Sequence, residues 1–311
     1  MKYKRTILVT GGAGNVGGSL ASRLVSDPEN YVVVVDDLTT GERSKLPVST
    51  TDNYRFVKLD VNKYEGLAAL MTSVDFDYVF HYAALVGVQR TLDNPLSVLA
   101  DIDGIRNVLE LSKNTGVKRV FYSSSSEVYG EPFEIPQNEE TTPLNSRLPY
   151  AIVKNVGESY LKSYYREFGL EYTIFRFFNT YGPNQSEDFV LPKFLRSAIA
   201  GAPITVYGEG AQTRTFCYID DNIDTTIRCL YEDYCINETV NVGSDDEMSI
   251  LELAERVIDR IGSKSTIKRL PALTEGDMMR RCPDNSRMRE ILGRPLLSLD
   301  EGLSKMIESY S

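Results

Sequence analysis

The chain has 311 residues, 42% hydrophobic and 25% charged, which is enough to bury the core of one large or two modest domains. Its formal net charge of −10 argues against a general nucleic-acid-binding protein, because such proteins usually carry a basic face. A single histidine, His81, and four cysteines without a CxxC spacing argue against a zinc site and against Ser–His–Asp catalysis.

The N-terminal residues lead straight into a predicted strand, without the apolar core of a signal peptide. The longest aliphatic run, Val32–Val35, is much shorter than a membrane span. We therefore expect no membrane association and a cytoplasmic location.

The first half of the chain alternates short β-branched runs with helix-length segments, which predicts βαβ units. Apolar residues at three- and four-residue spacing predict helices over Gly104–Ser112 and Ala151–Phe168. This alternation predicts an α/β fold with a doubly wound parallel sheet. The predicted strands are Thr6–Thr10, Tyr31–Asp36, Arg55–Leu59, Tyr78–His81, Arg119–Ser123 and Tyr172–Phe177.

A glycine-rich turn follows the first predicted strand, with Gly11, Gly14 and Gly17 each three residues apart. Glycines in such a turn permit a tight bend, the approach of a pyrophosphate to the backbone, and close packing of the helix on the strand. The N–H groups at the helix N-terminus would hold the phosphates. The turn favours a Rossmann-type dinucleotide-binding domain, although GxxGxxG differs from the commoner GxGxxG.

Acidic residues follow the second and third predicted strands. Asp36 and Asp37 stand about 20 residues after the last glycine, where a carboxylate binds the adenosine ribose hydroxyls. A carboxylate there repels a 2′-phosphate, so we expect NAD rather than NADP; a solvated acidic turn is the alternative. Asp60 is placed to meet the adenine amine.

Tyr150 and Lys154 are four residues apart and share one face of a predicted helix. An unperturbed tyrosine, with a pKa of about 10, is a poor base at neutral pH. Lys154 and a cationic nicotinamide would each favour the phenolate and lower the pKa of Tyr150. The pair predicts a general base that removes an alcohol proton while hydride leaves the adjacent carbon. The alternative is a surface tyrosine and lysine that share this spacing by chance.

A serine run, Ser123–Ser126, follows the fifth predicted strand and precedes Glu127. Hydroxyls at the C-terminal end of a parallel strand face the crevice in which ligands bind. One of these serines could share the substrate oxygen with Tyr150; a polar loop is the alternative.

Beyond residue 178 the pattern breaks into turns, such as 181–184 and 208–210. We predict an NAD-binding domain over residues 1–178 and a smaller substrate-binding domain over 179–311. The segment 215–243 resembles a further helix–strand unit and is expected to return to the sheet. The two domains would therefore be interleaved.

The motifs occur in order over nearly the whole chain, and together they resemble the extended short-chain dehydrogenase/reductase family. Within it, the chain is most similar to the NAD-dependent nucleotide-sugar epimerases, dehydratases and decarboxylases. The segments that carry the resemblance are TGGAGNVGG, VVVVDD, HYAA, SSSSEVYG, YxxxK, RFFNTYGP and VYGEGAQTRTF.

The resemblance implies NAD as the cofactor and a nucleotide-diphosphate sugar, most simply a UDP-sugar, as the substrate. It implies Ser125, Tyr150, Lys154 and Glu127 as catalytic residues. The implied cofactor contacts are Gly11, Gly14, Asn15, Val16, Gly17, Asp36, Asp37, Asp60, Val61, Tyr82, Ala83, Ala84, Ser123, Tyr150, Lys154 and Phe177.

The substrate contacts are implied by the same resemblance. Asn179 would lie at the diphosphate, Arg214 and Arg281 would clamp its phosphates, and the others would line the sugar, ribose or base. The family also implies a homodimer, in which the two predicted helices pair with their copies. The full implied set is Ser125, Ser126, Asn179, Leu191, Val206, Tyr207, Arg214 and Arg281.

The chain departs from the family at two positions. Asp101 stands where relatives usually have Asn, so no cofactor contact is assigned there, and Asn184 follows Pro183 where Arg is frequent. We expect His81 to be structural.

The reaction after oxidation at C4 is left open by the sequence. The loop 86–95 resembles 4-epimerases, which we place first, whereas Arg281–Asp284 resembles decarboxylases. Glu127 is compatible with a dehydratase or a decarboxylase, but Ser126 stands where many dehydratases carry Asp. A non-catalytic NAD sensor would be expected to have lost Tyr150, Lys154 or the serine, and all three are present.

Overall fold

A computed structural model describes residues 3–48, 52–271 and 280–310. The strands are β1 (Arg5–Thr10), β2 (Asn30–Asp36), β3 (Tyr54–Lys58), β4 (Tyr78–His81), β5 (Arg119–Ser125), β6 (Glu171–Phe177), β7 (Thr180–Tyr181), β8 (Ile204–Tyr207), β9 (Thr213–Thr215), β10 (Cys217–Tyr218), β11 (Glu238–Val242), β12 (Glu247–Ser249) and β13 (Ile267–Leu270). The helices are α1 (Asn15–Val25), α2 (Tyr64–Ser73), α3 (Val88–Asp93), α4 (Pro95–Thr115), α5 (Pro149–Phe168), α6 (Val190–Ile199), α7 (Ile219–Tyr231), α8 (Ile250–Ile261), α9 (Ser286–Leu292) and α10 (Leu299–Tyr310).

A seven-stranded parallel sheet forms the centre of the protein, in the order β11-β6-β5-β4-β1-β2-β3. Apolar side chains of β1 and β2 are buried on both faces, as a sheet covered by helices requires. Residues of α2, α4 and α5 complete the core on one face. Residues of α1, α7 and the C-terminal helices complete it on the other. The predicted α/β fold with a doubly wound sheet is confirmed.

The C-terminal half is joined to this sheet rather than set apart from it. β11 pairs in parallel with β6 at the sheet edge, and α7 packs beside α1. The short pairs β8–β13, β9–β12 and β7–β10 lie outside the large sheet. In the described residues, no helix is both long enough and apolar enough to cross a membrane.

Two elements are longer than the sequence predicts. β5 continues through Ser125 because its serines pair with Phe175, Arg176 and Phe177 of β6. α4 begins at Pro95, whose fixed φ suits the first helical turn, and not at Gly104. In its first turns Leu96 is exposed, so the apolar residues there do not follow the spacing of a single buried helix face.

A buried ion pair lies behind the serine run. Glu158 of α5 and Arg176 of β6 are 1% and 2% exposed in their side chains. Arg176 Nε and Nη2 donate to the two Glu158 oxygens at 2.9 and 2.7 Å, and Ser124 Oγ donates to Glu158 at 2.6 Å. Arg176 Nη1 also donates to the Tyr129 hydroxyl at 2.8 Å. The pair therefore joins α5, β6 and the serine run.

Removal of one partner should destabilise the protein strongly, because the other charge stays buried without compensation. We expect Arg176→Met to lower the free energy of unfolding by about 3–5 kcal/mol in urea denaturation. The matched control is Arg106→Met, which removes an arginine from an exposed i,i+3 pair with Asp103. That change should stay within about 0.5 kcal/mol. Equal effects of the two substitutions would contradict a structural role for Glu158–Arg176.

Candidate active site

A cavity of about 450 Å³ opens at the C-terminal ends of the central strands, which is where ligands bind in such sheets. All sixteen residues predicted to contact the cofactor line it. The lining also contains six further predicted site residues, namely Ser125, Ser126, Glu127, Asn179, Leu191 and Arg281.

Three predicted substrate contacts are not among the described residues that line this cavity. Val206 is 1% exposed on β8, where its side chain packs toward Gly210 and the start of α8. Tyr207 ends the same strand, and Arg214 lies on β9 with its Nη1 donating to the Thr213 carbonyl at 2.7 Å. Pairing of β8 with β13 and of β9 with β12 holds these strands apart from the cavity. Substrate contacts at these positions stay predictions.

The glycine turn has the shape that a pyrophosphate needs. Gly11 has φ +70°, and a Cβ there would lie 2.5 Å from the Ala83 nitrogen. A Cβ on Gly17 would collide with the Gly11 carbonyl oxygen. Gly14 is the N-cap of α1, so no side chain caps the first N–H groups of the helix. The residues of this first turn line the cavity. The residues present therefore fit a dinucleotide phosphate.

Asp36 is held rigidly at the end of β2. Its carboxylate accepts hydrogen bonds from the backbone N–H of Ala13 at 3.0 Å and of Leu38 at 2.8 Å. A carboxylate has lone pairs for further donors, so it can still accept from ribose hydroxyls. A fixed negative charge at this point of the cavity would also repel a 2′-phosphate.

Tyr150, Lys154 and Ser125 come together at the other end of the cavity. Lys154 Nζ donates to the Ser123 carbonyl oxygen at 2.6 Å and lies 5.7 Å from the centre of the Tyr150 ring. Ser125 lies close enough to the Tyr150 hydroxyl to affect its pKa, and Ser125 Oγ accepts from the Glu127 N–H at 3.2 Å. Ser125 is therefore oriented to share an oxygen ligand with Tyr150.

The chain's own residues raise the pKa of Tyr150. Burial raises this pKa above its ordinary value, and the nearby Glu127 carboxylate raises it further. The Ser125 side chain and the charge of Arg281 lower it, but they do not reverse the shift. Burial of the phenol therefore outweighs the surrounding groups that would lower its pKa.

His81 has a structural position at the end of β4. It is 2% exposed, and its Nδ1 lies 2.9 Å from the Thr10 hydroxyl. Burial and the Lys154 charge lower the pKa of His81 to about 3. The imidazole is therefore neutral at physiological pH.

A second charged group lies beside the serine run. Arg281 is only 6% exposed, and its Nη1 lies 3.8 Å from Glu127 and 3.3 Å from the Ser126 hydroxyl. Arg281 comes from the segment after β13, whereas Glu127 follows β5, so the cluster forms only in the folded chain. Its contacts with Ser126 and Glu127, which directly follow Ser125, place it at the serine end of the cavity.

Two features of the site were missed in the sequence. Asp101 of α4 lines the cavity, although no contact was assigned to it. Glu158 supports the site from behind through Arg176. A signal for Glu158 was present, since Tyr150, Lys154 and Glu158 follow one another at four-residue spacing.

Comparison with known proteins decides the family. A sequence profile described as the NAD dependent epimerase/dehydratase family matches residues 7–243. The chain belongs to this family. It is 33% identical to UDP-glucuronic acid decarboxylase 1 of Danio rerio, over 100% of this chain and 73% of that protein. It is also 33% identical to a UDP-glucose 4-epimerase of Mycolicibacterium smegmatis, over 97% of each chain.

A solved structure agrees with this assignment. The dTDP-glucose 4,6-dehydratase of Streptomyces venezuelae, crystallised with NAD bound, superposes with a TM-score of 0.89 at 29% identity, covering 98% of this chain and 96% of that one. NAD is the cofactor of this family, and the cavity residues fit it. When bound, NAD accepts a hydride from an alcohol carbon and can return it. In the predicted roles, Tyr150 and Ser125 would hold the oxygen of that alcohol, and Tyr150 would take its proton.

Loss of the phenol hydroxyl should abolish the proton transfer and leave the fold intact. We expect Tyr150→Phe to reduce turnover about 10²–10⁴-fold, because the oxygen that would accept the proton is removed. NAD⁺ affinity, measured by calorimetry, should stay close to that of the wild type. Tyr165→Phe on the exposed face of α5 is the control and should retain full activity. Ordinary turnover in Tyr150→Phe would exclude Tyr150 as the base.

Proposed function

We propose that the chain is a nucleotide-sugar decarboxylase, which oxidises C4 of a nucleotide-linked hexuronic acid and releases its C6 carboxylate as CO₂. The position of Arg281 carries this proposal: a buried guanidinium lies at the reactive end of the cavity, beside Glu127, Ser126 and Tyr150. The similarity to a UDP-glucuronic acid decarboxylase supports a UDP-linked uronic acid as the substrate.

A buried arginine at this place suits a sugar that carries its own carboxylate. The planar guanidinium binds a carboxylate through two parallel hydrogen bonds. Because Arg281 is almost excluded from solvent, its attraction for an anion is stronger than at the surface. Glu127, at 3.8 Å, orients Arg281 without the short contact of a full hydrogen bond. A neutral hexose offers nothing that needs this cation at its C6.

The residues of the cavity can then carry out oxidation at C4, loss of CO₂ and reduction at C4 in sequence. With NAD⁺ bound to supply the hydride acceptor, Tyr150 would take the proton of the 4-hydroxyl, which Ser125 would also hold. The 4-keto acid is a β-keto acid, so the electrons of the C5–C6 bond move toward the C4 carbonyl as CO₂ leaves. Tyr150, now protonated, stabilises the enolate oxygen. A proton from solvent would be added at C5, and as the hydride is returned to C4 Tyr150 would give its proton back to the C4 oxygen. The cycle therefore consumes one solvent proton and no net oxidant.

A 4-epimerase is the second candidate. The match to the UDP-glucose 4-epimerase of Mycolicibacterium smegmatis covers nearly all of both proteins, and the loop 86–95 resembles that class. In this case Arg281 would bind the diphosphate and Glu127 a sugar hydroxyl. We rank this candidate second, in reverse of the sequence expectation, because Arg281 lies beside Tyr150. A 4,6-dehydratase is third, since Ser126 stands where many dehydratases have Asp.

The two leading candidates differ in what they do to C5 and C6. We expect incubation with a UDP-hexuronic acid in D₂O to release CO₂ and to give a UDP-pentose with deuterium at the former C5, observed by NMR and mass spectrometry. A panel of neutral UDP-, GDP-, CDP- and dTDP-hexoses should remain unchanged. Inversion at C4 of a neutral hexose, with C6 retained and no deuterium at C5, would establish the epimerase. Deuterium at C5 with C6 retained and deoxygenated would establish the dehydratase.

The role of Arg281 can be tested against its neighbour. We expect Arg281→Met to reduce decarboxylation about 10²–10³-fold, which is typical for loss of one preorganised charge at a developing anion. Arg280→Met is a matched control, because Arg280 is 54% exposed and pairs with Glu247 at the surface. The control should turn over normally. A similar small loss in both variants would contradict a role for Arg281 at the sugar.

We also propose that the chain forms a homodimer through α4 and α5. Apolar side chains are exposed on these helices, including Leu99, Ile152 and Phe168. A groove between the helices is lined by Ile152, Val156, Tyr160 and Tyr164. A helix with this much apolar surface outside the core is typical of an interface.

We expect light scattering at micromolar concentration to give twice the mass of one chain. Ile152→Glu should shift the protein toward the monomer, because it would bury an unpaired charge in the interface. Ile199→Glu is the control, since Ile199 is exposed on α6 and far from this groove in sequence. A monomeric mass of the wild type would rule out the dimer.

A further inference from the structure

Asn241 is a fully buried asparagine at the edge of the central sheet. It lies on the edge strand β11, opposite Arg176 of β6, and is 0% exposed. Its Nδ2 donates to the carbonyl oxygens of Gln137 at 2.8 Å and of Asp284 at 3.3 Å. Its Oδ1 accepts from the Tyr129 hydroxyl at 2.7 Å. Both N–H groups and the oxygen of this amide are therefore in use, as burial of a polar side chain requires.

The direction of each hydrogen bond is fixed by its partners. The two backbone carbonyls can only accept, so Nδ2 of Asn241 has to face them. Arg176 Nη1 donates to the Tyr129 hydroxyl at 2.8 Å, so the proton of that hydroxyl goes to Asn241. Burial raises the pKa of Tyr129 to about 12, which keeps this proton in place at neutral pH. Rotation of the amide by 180° would therefore break all three contacts.

On one side, the amide holds the turn that carries Glu127. This turn, Ser126–Tyr129, directly follows β5, and Tyr129 is its last residue. Tyr129 is 0% exposed, and the Arg176 guanidinium lies 4.8 Å from the centre of its ring. Because the turn has only four residues, a fixed position of Tyr129 restricts the position of Glu127.

On the other side, the amide holds the segment that carries Arg281. Gln137 forms a parallel bridge with this segment. Its N–H donates to the Cys282 carbonyl, and its carbonyl accepts from the Asp284 N–H, both at 2.8 Å. The same Gln137 carbonyl accepts from Asn241. Arg281 directly precedes this bridge, so its backbone cannot shift far unless these hydrogen bonds open.

We propose that Asn241 is a positioning residue for Arg281: its buried amide joins the turn of Glu127 to the segment of Arg281 and so sets the distance between the two side chains. That distance is 3.8 Å, although neither residue lies on a strand of the central sheet. A guanidinium binds a carboxylate through a fixed fork, so displacement of Arg281 reduces its hold on a sugar carboxylate. In this catalytic consequence, the inference rests on the proposed function.

The experiment compares Asn241→Leu with Asn30→Leu. Asn30 is likewise 0% exposed, and its Nδ2 donates to the Leu24 carbonyl at 2.9 Å and to the Tyr231 hydroxyl at 2.8 Å. It is the first residue of β2, at the opposite end of the sheet from the cavity. Each substitution removes a buried amide with similar partners, so both should destabilise the fold. Only Asn241→Leu should affect Arg281.

Amide hydrogen exchange, followed by NMR in NAD⁺-saturated protein, measures the bridge directly. The exchange rates of the Gln137 and Asp284 N–H groups are taken relative to that of Leu8 in the central strand β1, which corrects for a change in global stability. We expect these relative rates to rise about tenfold in Asn241→Leu, as for the loss of one net hydrogen bond, and to stay unchanged in Asn30→Leu. Unchanged rates in Asn241→Leu, or an equal rise in both variants, would overturn the proposal.

Turnover supplies the second measurement, with whichever nucleotide sugar the protein converts. We expect Asn241→Leu to lower kcat/KM about tenfold in the wild-type background, but less than about twofold in the Arg281→Met background. A residue that acts through Arg281 has little left to affect once Arg281 is gone. Equal losses in the two backgrounds would show that Asn241 acts through another group, and would contradict the proposal.

The two measurements separate this inference from the proposed function. Hydrogen exchange needs no substrate, so it reports on the Arg281 segment whatever the reaction is. If Arg281→Met turns over normally, the proposed function fails, and the exchange rates alone decide whether Asn241 positions Arg281. If Asn241→Leu does not fold, Asn241→Ser removes the same two donors and is compared with Asn30→Ser.

Discussion

The buried ion pair between Glu158 and Arg176 is the constraint on which the catalytic geometry depends. Its two charges satisfy each other through two hydrogen bonds, and Ser124 and Tyr129 use the remaining capacity. A pair so completely buried is stable only when every partner is in place, because each unmatched charge is costly. The contact therefore fixes α5 on β6 and fixes the serine run against both.

Helix α5 connects the buried ion pair to the cavity. Tyr150, Lys154 and Glu158 follow one another at four-residue spacing, so they form one stripe along the helix. Glu158 anchors the stripe in the protein interior, Lys154 binds the backbone of Ser123, and Tyr150 reaches the cavity. Because β5 continues to Ser125, the hydroxyl beside Tyr150 belongs to a strand and not to a mobile loop.

The sequence predicted the sheet and the cofactor end well, because these parts depend on local patterns. β-branched runs identify β1, β2 and β4 to within a residue, and the glycine spacing identifies the phosphate turn. The extension of β5 was missed because serine has little preference for strands, and only the pairing with β6 stabilises it. The contacts of Arg176 and Arg281 depend on residues remote in sequence, so no local pattern shows which anion each will meet. Val206 was assigned to the substrate by motif; its side chain is buried in the structure, and the substrate contact stays a prediction.

The charges around Tyr150 explain why its reactivity has to be coupled to binding. Burial and Glu127 both raise the pKa of the phenol. The positive charge of Arg281 opposes this increase but does not reverse it. The chain's own residues therefore keep Tyr150 protonated at neutral pH. NAD⁺, when bound, would bring a cationic ring to this end of the cavity, and a cation beside a buried phenol favours the phenolate more than it would in water. Tyr150 would then be the stronger base while the cofactor is oxidised. The burial that weakens Tyr150 as a free base would thus couple its proton to the charge of the bound cofactor.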